Sequence, residues 1–118
     1  MTGTESWEIL FQAEINQAED ARTKGNEGMA RVCARRAVGI VLGEYFRREN
    51  IAPAKTSAYD RMRQVEKLPD FPGDVLSLVR HFLVRINPDY SLPIEADLID
   101  EAKQIRETLL EKRRNSDV

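Results

Sequence analysis

His81 is the only histidine of the 118-residue chain, and Cys33 is the only cysteine. Histidine exchanges protons near neutral pH and a thiolate is a nucleophile, but each needs a partner that positions or activates it. Arg80 adjoins His81 but points about 100° away around a helix. Ser77, Leu78 and Arg85 stand nearer the histidine's own face. Cys33 lies in the apolar run from Met29 to Leu42 and reads as a buried structural thiol. Neither residue has a sequence partner that completes a reaction centre.

The other chemistry-bearing residues are arginines. Arg31, Arg35 and Arg36 form the densest basic cluster in an otherwise apolar stretch. One reading pairs them with carboxylates such as Glu14. The other makes them a site for a nucleotide phosphate or another anion, because guanidinium forks match phosphate oxygens. Arg47 and Arg48, beside Tyr45 and Phe46, read either as a base-stacking patch or as a solvated helix end. Asp97, Asp100 and Glu101 fall at a helix start, where acids suit the dipole without a metal. Gly25 to Gly28 is too short for a phosphate loop and lacks its lysine. No metal or cofactor is expected.

Five amphipathic helical stretches must hold these residues. The first spans about Ser6 to Thr23, with Trp7, Leu10, Phe11, Ile15, Ala18 and Ala21 on one face, Thr4 or Ser6 as its cap and Gly25 as its stop. The second, from Asn26 or Glu27 to about Glu49, carries its apolar residues (Met29, Val32, Cys33, Ala37, Ile40, Val41, Tyr45 and Phe46) on more than one face, which predicts a central helix. Gly39 and Gly43 share a face of it; each lowers helix stability by about 1 kcal/mol relative to alanine. Close approach of another helix explains them, either within the chain or at a dimer interface. A short third helix, about Ser57 to Leu68, is capped by Thr56. The fourth covers about Asp74 to Ile86, and Asn87 to Pro93 is a turn-rich connection. The fifth runs from about Ile94 to Arg113, with acids at its start and bases at its end; residues 114–118 are expected to fray. Short joints favour antiparallel neighbours. The expectation is an all-α, single-domain, up-and-down four-helix bundle with an extra short helix, its core about residues 6–113.

Hydrophobic content of 42% and charged content of 32% are globular, and a net charge of -2 argues against a dedicated nucleic-acid coat. No apolar run reaches membrane-spanning length. A lone cysteine forms no internal disulfide, so the chain is expected to be cytoplasmic.

Three segments carry a resemblance. They are the alanine-bearing first helix (Ala13, Ala18, Ala21) paired with a second ending in Tyr45-Phe46-Arg47-Arg48; the stretch Phe82 to Tyr90; and the closing helix Glu95 to Leu109, with Ala102 and Ile105. Together they resemble the HEPN domain family of small helical proteins over about Trp7 to Leu110. The resemblance implies a four-helix bundle, often dimeric. Many members are ribonucleases with an arginine and a histidine separated by four to six residues; others pair with small nucleotidyltransferase proteins or serve in ligand binding and assembly. This chain departs from the pattern. Asp74, Val75 and Leu76 stand at the three positions where the arginine that matches His81 would have to lie, and Ile86 and Asn87 stand where arginine and tyrosine are usual before Pro88-Asp89. The expectation is a non-catalytic HEPN-like module acting by association, as a homodimer or with another protein. The alternative is a non-standard ribonuclease centre using His81 with Arg85 or Arg80.

Overall fold

The computed structural model describes residues 6–53, 55–85, 92, 94 and 96–112, and among these every regular element is helical. The elements are α1 (Trp7–Thr23), α2 (Glu27–Arg48), α3 (Ala58–Val65), α4 (Gly73–His81) and α5 (Leu98–Arg106), with α5 continuing into a π-helical segment, Glu107–Lys112. No helix among the described residues is long and apolar enough to cross a membrane.

Local chemistry sets most boundaries. Ser6 Oγ accepts from the Ile9 backbone N–H at 3.3 Å and starts α1. Gly25 ends it at φ 79°, in the left-handed region that glycine enters without a Cβ clash. The bonds Gly25 N to Arg22 O and Asn26 N to Ala21 O complete a Schellman turn. Asn26 then caps α2 through Met29 N. Asn50, at φ 57°, closes α2 in the same way, with Ile51 N donating to Phe46 O.

Several expected boundaries move, and α3 ends at Val65 rather than near Leu68, where Lys67 N and Leu68 N bond back only three residues. The cap of α3 is Ser57 rather than Thr56, because the Ser57 hydroxyl oxygen accepts from Asp60 N at 3.0 Å. α4 stops at His81, five residues early, where Phe82 N and Leu83 N bond back only three residues and tighten the last turn. α5 starts at Leu98, four residues late, because Asp97 holds an extended backbone and its carboxylate accepts from Asp100 N. The fifth helix also widens past Arg106. Arg106 pairs with Glu111 at 3.0 Å, a five-residue spacing that a regular α-helix would set about 140° apart. The frayed tail, the Thr4 cap, most of the 87–93 connection and residues 86–90 of the Phe82 to Tyr90 stretch lie outside the described residues.

α2 is central, as its broad apolar surface implied: it packs against α1, α3 and α5. The core takes Phe11, Ile15 and Ala18 from α1, with Val38, Val41, Leu42 and Phe46 from α2. Met62, Val75, Phe82, Ile105 and Leu110 close it. Three residues assigned to apolar faces by periodicity are instead exposed: Leu10 at 40%, Met29 at 45% and Val32 at 36%. They sit where no described helix covers the α1–α2 pair.

Candidate functional sites

Gly39 and Gly43 accommodate α3 of the same chain. A Cβ on Gly39 would lie 2.7 Å from Ala58 Cβ and 2.9 Å from Ala58 Cα, inside van der Waals contact. A Cβ on Gly43 would lie 2.5 Å from Arg61 Nη1. That guanidinium occupies the space the missing side chain leaves and donates to Gly39 O at 2.7 Å. Burial lowers the Arg61 pKa, and its Nε has no hydrogen-bond partner. The described glycine contacts are thus an intrachain crossing of α2 and α3.

The three arginines of α2 diverge. Arg31 and Arg35 share one half-buried face, as their four-residue spacing requires, and Arg35 Nε is buried without a partner. Arg36 is exposed and stands close enough to Cys33, on the α1 side, to act on its charge. Among the described residues Glu14 forms no ion pair with Arg35 or Arg36, and its Oε1 is buried with no hydrogen-bond partner. Burial and the neighbouring Glu14 charge push the Cys33 thiol up, which keeps it protonated and inert. The thiol lies 3.8 Å from Gln17 Oε1, at the edge of a groove of about 440 Å³ lined also by Asp20, Lys24, Asn26 and Met29.

His81 is met by a carboxylate. Its Nδ1 lies 2.6 Å from Glu101 Oε1 on α5, an α4–α5 link that spans 20 residues of sequence. Arg80 turns to Glu66 at 3.4 Å, and Arg85 is exposed. Among the described residues no hydroxyl, thiol or guanidinium is bonded to the other ring nitrogen. The Glu101 contact ties the imidazole of α4 to α5.

A second groove, of about 310 Å³, runs between the end of α1 and the start of α5. Arg22 bridges Glu27 and Asp97 there, and Lys103 reaches Glu19 at 2.9 Å. The hydrogen bonds that Arg22 donates to Glu27, foremost, and to Asp97 raise its pKa despite partial burial. Arg22 and Lys103 each meet a carboxylate and Asp100 accepts from Gln104 Nε2 at 2.7 Å, so the groove reads as a clamp between helices. Among the described residues no group of three His, Cys, Asp or Glu side chains is arranged to hold a metal.

One polar cluster escaped the sequence reading. Glu44 is buried and accepts from Arg47 at 2.9 and 2.6 Å and from Arg48 Nε at 2.8 Å. Arg48 also donates to Leu110 O at 3.1 Å, and with Arg106 it flanks the Trp7 ring at 5.9 and 4.9 Å. The i,i+3 and i,i+4 spacing of Glu44 to the two arginines was the available signal. Arg47 is thus a solvated helix end, whereas Arg48 ties the ends of α1 and α2 to the π-helical segment.

The Glu44 cluster carries a pH expectation. The Arg47 hydrogen bonds, followed by those of Arg48, hold the Glu44 carboxyl below its ordinary value in the folded state. As pH falls past about 4.3, the unfolded chain takes up this proton first, so the carboxylate's stabilisation is full at neutral pH and fades in acid. Glu44→Gln is expected to lower stability by about 1–2 kcal/mol at neutral pH. Urea titrations near pH 3 should show that gap much reduced; a gap unchanged between the two pH values would contradict the assignment.

No protein-family model, curated protein or solved structure matches the chain.

Proposed function

We propose that the chain is a non-catalytic, HEPN-like helical module that works by association, as a homodimer in the cytoplasm. Its helices are read as an up-and-down four-helix arrangement with α3 as the short accessory. The observation that carries the reading is the set of large apolar side chains left in solvent on the first two helices: Ile9 at 57%, Leu10 at 40%, Met29 at 45% and Val32 at 36%. Contiguous exposed apolar surface marks interaction sites, and Met29 and Val32, three residues apart, share one face of α2. The state of His81 supports the same reading. A ribonuclease needs a guanidinium near the histidine to hold phosphate, and here Glu101 occupies Nδ1 while Arg80 is engaged with Glu66.

Two measurements test this. Pairing that favours the folded chain makes the thermal midpoint rise with protein concentration. Over roughly a hundredfold range of concentration the rise is expected; a flat midpoint counts against association. Incubation with single-stranded RNA is expected to yield no cleavage beyond that given by His81→Ala. Cleavage that His81→Ala abolishes would establish the ribonuclease alternative instead.

A further inference from the structure

We infer that the outer seam of the α1–α2 hairpin is the surface through which two copies of this chain pair, an assignment that rests on the association reading above. The register of the hairpin follows from the approach of Cys33 to Gln17. Stepping along antiparallel helices from that contact, Glu14 is level with Arg36 and Leu10 is level with Ile40. Met29, Val32, Arg36 and Ile40 recur at three and four residues and form one stripe of α2. Met29, Val32 and Leu10 are exposed, and Ile40 is half-buried. α3 covers the neighbouring face only from Gly39 onward.

The charges on this seam point to the occupant. Glu14 Oε1 is buried with no hydrogen-bond partner among the described residues; the Cys33 thiol, a weak donor, is the group beside this carboxyl, and a desolvated carboxylate oxygen calls for a stronger one. Arg36 is exposed and makes no ion pair among the described residues. The two share a level of the hairpin yet do not pair with each other. A basic partner would satisfy Glu14 and leave Arg36 alone; an acidic one would do the reverse. A second copy satisfies both. With a two-fold axis beside Arg36 and the two α2 helices antiparallel, each Arg36 reaches the other copy's Glu14. Val32 and Met29 of one copy then lie against Ile40 and Leu10 of the other. Every contact occurs twice, as an isologous interface requires.

Sedimentation equilibrium of the wild type, Val32→Glu, Arg36→Glu and the double variant Glu14→Arg/Arg36→Glu tests the assignment, with circular dichroism melts reporting folding. The wild type is expected to dimerise. Each single change is expected to weaken the dimer by about tenfold or more, and the double variant to recover most of the Arg36→Glu loss. Val32 and Arg36 are exposed, so the single variants keep the test intact if the half-buried Glu14 site rejects arginine. A wild-type dimer whose affinity neither single variant changes would overturn the seam while association stands. A wild type that stays monomeric throughout would overturn association itself and leave the seam to a partner other than a second copy.

Discussion

Gly39→Ala is expected to destabilise the chain by about 1–3 kcal/mol, whereas Gly43→Ala, four residues on, should stay within about 1 kcal/mol of wild type. Alanine is the better helix former at both sites, by about 1 kcal/mol. The difference lies in what the new methyl meets. At Gly39 it meets the Cβ and the backbone Cα of Ala58, so α3 must move bodily, with Met62 and Val65 of that helix buried in the core. At Gly43 it meets the guanidinium of Arg61, which swings away and gives up its bond to Gly39 O. That loss, about 1 kcal/mol, offsets the helix gain. Gly39→Val should cost more than Gly39→Ala. Urea denaturation of the three variants separates these cases. Equal behaviour of Gly39→Ala and Gly43→Ala would show that α3 does not press on Gly39.

Phe11→Ala is expected to give the largest single loss, about 3–5 kcal/mol. Against a typical total of about 5–15 kcal/mol, that removes a large share of the stability. Phe11 is only 2% exposed and fills the interior between α1 and its neighbours. Its ring also lies 5.1 Å beneath the Arg106 guanidinium, which at the same time covers Trp7. Truncation therefore leaves a cavity and removes one face of that cation–π contact. Phe11→Leu keeps most of the volume and should cost markedly less. A loss below about 1 kcal/mol for the alanine variant would mean that α1 is not anchored through this ring.

What the sequence could reveal followed the range of the interaction. The α1 stripe of Phe11, Ile15, Ala18 and Ala21, the Ser6 cap and the Gly25 stop all depend on neighbours within five residues, and all are present. The central place of α2 was legible because its apolar residues exceed one helical face. Leu10, Met29 and Val32 fit the same periodicity but are exposed, since periodicity identifies a face without saying whether a helix covers it. The late start of α5 turns on Asp97, which acts as a cap and as the partner of Arg22, 75 residues away. The carboxylate beside His81 comes from Glu101, and no local spacing announces it. The glycine pair pointed to a close crossing, and only the fold says that Ala58 and Arg61 supply the other side.

Sedimentation equilibrium of the wild-type chain, from roughly 1 to 100 micromolar, tests association most directly. The expected result is a reversible dimer, with the mass rising toward twice 13.5 kDa as concentration increases. A single species at 13.5 kDa across the whole range would contradict it.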